Sequence, residues 1–206
     1  MDLDVRSLEP WRLRDTVMSV LQTRGLRDTL ASYGIDSIVP PDMRTAKQTE
    51  TTQRFKVHLI CASGQDLFTK VEFSRRSARG GTVVEPVASD VLRAYRAAPV
   101  LCPHYDGAAA FAQKVKALAE RSAVQARDIF DLYLLDPQTD PADTQALPAG
   151  RELRRKAHAN LFLVDYEQFA DTVLAYLAPE EASLYASAER WDEVRLAVAK
   201  RLEETA

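Results

Sequence analysis

Asp2 and Asp4, in the opening stretch MDLDVRSLEP, are two residues apart. Alternate side chains of a strand share one face, so on a strand both carboxylates could touch the same metal ion. Glu72, in Lys70-Val71-Glu72-Phe73-Ser74, is a third acid on a later strand-like segment. Three acids brought together repel one another, and a divalent ion relieves that repulsion, so their convergence would mark a site. A second set lies between Phe111 and Leu135. There Lys114 sits beside an apolar face made by Phe111, Val115 and Leu118, and Arg121 closes the last turn of the same helix. After a short break at Ser122 to Ala126, Asp128 and Asp131 follow one helical turn apart, and Arg127 can reach Asp131 at i, i+4. Taken alone, the second set reads more simply as a helical hairpin pinned by ion pairs, and Asp2 and Asp4 as frayed terminal residues.

The elements that must carry these groups follow from periodicity and breakers. Asp2 to Val5 alternates as a half-buried strand would, and Pro10 opens a helix over Trp11–Gln22 that Gly25 ends. Ile35 to Val39 is a short strand stopped by Pro40-Pro41, and Thr45 to Thr52 is a polar loop. Phe55 to Cys61 and Leu67 to Ser74 are two strands whose turn, Ser63-Gly64-Gln65-Asp66, makes an antiparallel hairpin. Ser77 to Gly81 is a basic loop, and Pro99 to Pro103 is extended and leads into the Lys114 helix, with His104 in the loop before it. Beyond Asp136 a Pro-rich loop precedes three helices, Arg151–Leu163, Tyr166–Leu177 and Glu180–Glu204. Leu184, Trp191, Val194, Val198 and Leu202 give the last of these its apolar seam. Among the aromatics, Tyr133, Phe162, Tyr166 and Trp191 fall at core spacing.

Composition bounds the function. The chain has 206 residues, 46% hydrophobic and 28% charged, which suits a globule with an ample core. Its apolar runs are too short to span a membrane, and the start lacks the basic and apolar regions of a secretory signal. Cys61 and Cys102 have no metal-ligand spacing, which suits reduced thiols in the cytoplasm. His58, His104 and His158 are dispersed, and His58, between Val57 and Leu59, reads as a sheet-surface residue. No Walker loop, dinucleotide fingerprint or G-x-S-x-G elbow is present. The net charge of −3 is uneven: residues 44–96 hold ten Lys/Arg against five Asp/Glu, and residues 136–206 hold eight against fourteen. A basic middle favours a nucleotide or nucleic acid nearby.

Four segments together resemble the AbiEii/AbiGii toxin family of nucleotidyltransferases, within the DNA polymerase β-like superfamily. Asp2-Leu3-Asp4-Val5 is similar to the D-h-D end of its first acidic motif, and Lys70-Val71-Glu72-Phe73 to its third-carboxylate strand. Lys114 to Leu118 with Arg121 resembles the Lys helix, and Arg127-Asp128-Ile129-Phe130-Asp131-Leu132 the RDxxD motif. The resemblance covers roughly residues 2–135. It implies an α+β fold, with a polymerase β-like core (1–135) of small mixed or antiparallel sheet flanked by helices, and a helical C-terminal region (136–206) packed on it. It also implies an NTP substrate, Mg²⁺ (or Mn²⁺) held by Asp2, Asp4 and Glu72, and a tRNA or protein acceptor. By the same resemblance Lys114 takes the nucleotide phosphates, Asp128 or Asp131 orients it, and Lys70, Arg121 and Arg127 are further nucleotide-binding cations. A cognate antitoxin in a type IV toxin–antitoxin or phage-defence pair, and a cytoplasmic location away from membranes, follow as expectations. The family's Gly-Ser turn is missing before Asp2. The reading on that point is double: a start codon upstream, or a shortened, inactive relative that acts by binding.

Overall fold

The computed structural model describes residues 9–44, 46, 48–74, 81–94, 96–139 and 150–204. Asp2, Asp4 and the strand expected around them lie outside the described residues, as does most of the Pro-rich loop after Asp136. The chain divides into two compact units, Met1–Ser77 and Ala78–Ala206. Both mix short antiparallel strands with helices, the α+β class expected.

The first unit opens with α1 (Pro10–Leu21), whose Pro at the first turn needs no N–H partner. A second helix, α2 (Arg24–Ala31), follows at once, where Gly25 was expected only to end the first. Thr23 explains this: its side chain accepts from the Leu26 N–H at 3.4 Å and starts a new helix, with Gly25 inside it. Strands β1 (Ile35–Val39), β2 (Thr52–Cys61) and β3 (Asp66–Ser74) form a sheet of order β1-β2-β3, antiparallel throughout. Gly64, at φ +81°, makes the turn between β2 and β3, a conformation that costs a β-carbon dearly. Asp66 belongs to β3 and not to the turn. The turn fixes the register, which sets Arg54 opposite Glu72, Lys56 opposite Lys70 and His58 opposite Phe68. On the other face Phe55 meets α1 through Leu13 and Val17, with Phe73 packed beside them.

The second unit begins with a ribbon of β4 (Thr82–Pro86) and β5 (Leu101–Tyr105), joined through α3 (Ser89–Ala94). Neither β4 nor α3 was expected. His104 therefore stands on a strand and not in a loop. Helices α4 (Gly107–Glu120), α5 (Ala126–Leu135), α6 (Arg151–Leu161), α7 (Tyr166–Thr172), α8 (Pro179–Leu184) and α9 (Ala188–Glu204) complete it. One core joins Phe111, Val115 and Leu118 of α4 to Ile129 and Leu132 of α5, Leu161 of α6, Phe169 of α7 and Trp191 of α9. The Phe169 and Trp191 rings stack at 4.2 Å. The boundary expected at 135/136 falls inside this unit, because α6 and α9 share the core of α4 and α5.

The last expected helix is broken in two. Ser187 accepts from the Arg190 N–H through its hydroxyl at 3.2 Å and caps a fresh start at Ala188. Leu184, ahead of that break, leaves the seam and is 64% exposed, whereas Trp191, Val194, Val198 and Leu202 are buried. Phe162, expected in the core, is also exposed.

A buried carboxylate between two cations

Lys114 and Arg121 both belong to the α4 end of the helical hairpin, seven residues and about two turns apart. Their helix is held at both ends. Asp106 caps the start by accepting from the Ala109 N–H at 2.7 Å. At the other end the side chain of Asn160, on α6, donates to the Leu118 carbonyl at 2.8 Å, satisfying one of the last-turn acceptors that a helix leaves open. Arg121 is the residue after the last turn, and its extended backbone carries the chain off the helix axis towards α5.

α5 answers with two acids. Asp128, in its first turn, is fully buried, while Asp131 is 39% exposed. An acid in that first turn also meets the positive end of the helix dipole. Lys114 Nζ lies 3.3 Å from Asp128 Oδ1 and pairs with Asp131 as well. Arg121 Nε approaches Asp128 Oδ2 at 2.7 Å. That approach is an ion pair off the N–H direction, and Oδ2 has no hydrogen bond of its own among the described residues. A buried carboxylate is tolerated only when paired, and here one carboxylate holds two cations. Lys114 keeps 31% of its side chain exposed and Arg121 39%, so both cations still meet solvent. Asp131 pairs with Lys114 and not with Arg127, the partner that helical spacing suggested. Arg127 is exposed and has no ion pair among the described residues.

Glu72 and Lys70 belong to the first unit, on the sheet face opposite α1. Arg54 holds Glu72 at 2.6 Å from the neighbouring strand. Lys70 faces Lys56 across the ladder. Farther along the same face His58 stacks on Phe68 at 4.6 Å and lies 2.6 Å from Asp66, as a sheet-surface histidine should. The described residues contain no group of three or more His, Cys, Asp or Glu able to hold a metal. Asp2 and Asp4 lie outside them, so the structure brings together Lys114, Arg121, Asp128 and Asp131 and leaves Glu72 with Arg54. The Arg54 pairing could have been read from the hairpin, since the turn position fixes the register. Asn160 carried no sequence signal. Neither cysteine is in a disulfide, and no described helix is long and apolar enough to cross a membrane.

The family model described as "Nucleotidyl transferase AbiEii toxin, Type IV TA system" matches residues 4–198. Among solved structures, JHP933 from Helicobacter pylori is 16% identical, over 88% of this chain and 73% of that one, with a TM-score of 0.44. A provisionally assigned nucleotidyltransferase from H. pylori is 17% identical, over 90% of this chain and 77% of that one, with a TM-score of 0.41. No curated protein matches in sequence.

Proposed function

The chain belongs to the AbiEii family of nucleotidyltransferase toxins of type IV toxin–antitoxin systems, and from that premise we propose that it transfers a nucleotide from an NTP to an RNA or protein acceptor, with a cognate antitoxin to restrain it in the cytoplasm. The observation that carries this reading is Lys114, whose ammonium is held by buried Asp128 and by Asp131 while about one-third of its side chain stays open to solvent. A cation fixed in that way binds triphosphate oxygens with little loss of side-chain entropy, since its rotamer is already restricted. Asp128 and Asp131 orient it. Arg127 and Lys70 are the other cations of the proposed nucleotide-binding set, whereas Arg121 lies against Asp128.

Asp2, Asp4 and Glu72 would together supply oxygen donors of the kind that suits a hard divalent cation. They would hold Mg²⁺ (or Mn²⁺), which when bound neutralises triphosphate charge. Glu72 would have to exchange its Arg54 partner for the ion.

The test is incorporation of labelled nucleotide, from each of the four NTPs, into total tRNA and into total protein, with Mg²⁺ present. Labelled product from the intact chain and none from Lys114→Ala is expected. The same variant should lose any rise in Tm caused by NTP. No product and no NTP-dependent rise in Tm from the intact chain would overturn the reading and leave a binding protein that keeps the fold.

A further inference from the structure

We propose that Arg121 is a positioning residue, which fixes the buried Asp128 carboxylate and, through it, the Lys114 ammonium, without itself touching the nucleotide. The proposal rests on the reading of Lys114 as the phosphate-binding cation. Asp128 is fully buried, and its two oxygens are divided between two cations from one helix: Lys114 on Oδ1 and Arg121 on Oδ2. A carboxylate is planar and rigid, so a rotation that loosens one contact shifts the other. Oδ2 has no hydrogen bond among the described residues, and Arg121 is the cation against it. A buried acceptor stripped of its partner is costly, so without Arg121 the Asp128 carboxylate must turn to find compensation, and Lys114 turns with it.

The rest of the setting makes Arg121 suited to this role. Asn160 pins the Leu118 carbonyl one turn before it, and Leu118 and Ala119 are buried in the core. The guanidinium therefore starts from a fixed point, and its Nε is committed to Asp128 at 2.7 Å. Arg127, by contrast, is exposed and makes no ion pair among the described residues, so nothing directs it onto Lys114 or Asp128.

A double-mutant cycle tests this, with the intact chain, Arg121→Gln, Asp128→Asn and the double variant. Two quantities are measured in each: NTP affinity with Mg²⁺, by calorimetry with ATP, CTP, GTP and UTP, and the acetylation rate of Lys114 by N-hydroxysuccinimidyl acetate, read by peptide mass spectrometry without nucleotide. Residues that act through a shared partner are non-additive. Arg121→Gln should weaken NTP binding about tenfold and change the Lys114 rate about threefold in the intact background, but alter either by less than about twofold beside Asp128→Asn. Arg121→Lys, which keeps a cation able to pair with Asp128, should recover most of the loss.

Effects on affinity that multiply in the double variant would mean that Arg121 contacts nucleotide directly, and the proposal falls. An unchanged Lys114 acetylation rate in Arg121→Gln would also overturn it. If the intact chain binds none of the four NTPs, the functional reading of Lys114 fails, yet the acetylation cycle still decides whether Arg121 positions Lys114. Should Arg121→Gln not fold, Arg121→Lys replaces it in the cycle, with a smaller coupling expected and full additivity as the refuting result.

Discussion

Two regions carry charged pairs of similar make-up and treat them differently. On the β2–β3 ladder, Arg54 and Glu72 meet across an open sheet face, and both remain partly exposed. Between α4 and α5, Asp128 is shut away from water and holds two cations. The first pair sits in a medium that screens it and would hydrate either partner alone. In the second, the carboxylate is buried and its cations cannot be removed without leaving that charge stranded. An exposed ladder pair can exchange partners at little cost, as the proposed function would require of Glu72. A buried cluster keeps one geometry, as that proposal would require of Lys114.

This contrast can be broken experimentally. Its largest expected consequence is that Asp128→Asn destabilises the second unit by about 1–3 kcal/mol, the usual cost of leaving a buried polar group without its partner, whereas Glu72→Gln costs less than about 1 kcal/mol. Urea denaturation followed by circular dichroism reads both, and equal losses would show that the difference in burial does not govern the energetics. The next effect has the opposite sign. Lys56 and Lys70 stand directly opposite each other, and like charges so placed destabilise a ladder, so Lys56→Glu should raise stability by about 0.2–1 kcal/mol. That gain should shrink in high salt; a loss, or a gain indifferent to salt, would mean the sheet face is not simply solvated.

The smallest effect concerns pH, and it sharpens the same point about burial. Tyr185 packs edge-on against Phe130 and Tyr133. Burial pushes its phenol pKa up, with the Tyr133 phenol adding to the rise and the Arg190 guanidinium opposing it. A raised folded-state value means the unfolded chain ionises first, so the stability from this group is complete below about pH 10 and is lost as pH climbs through the folded value. Tyr185→Phe should therefore flatten the fall in Tm above about pH 10, and an unchanged fall would assign it to other groups.

Much of the helical architecture was legible because it is written in local signals. The Phe111, Val115 and Leu118 spacing gave α4, the Pro at the start of α1 gave its first turn, and Gly64 gave the hairpin, with its turn read one residue too long at Asp66. The misses were also local, but hidden in weaker caps: Thr23 starts α2 beside a glycine, and Ser187 splits the final helix. β4 and α3 escaped because their apolar residues are few and mostly exposed, so no periodicity stands out. At the site, the types and spacing of Lys114, Arg121, Asp128 and Asp131 were readable, and so was the family they resemble.

Which acid would pair with which cation was not readable. Helical spacing offers Asp131 to Arg127, and only the packing of α4 against α5 hands it to Lys114. The burial of Asp128 was equally invisible, because it depends on everything that packs around the α4–α5 hairpin. Sequence thus determined the elements and the chemistry they carry, since those follow from neighbours within a turn or a strand. Tertiary structure alone decided which charge is desolvated, because desolvation is a property of everything that surrounds a group.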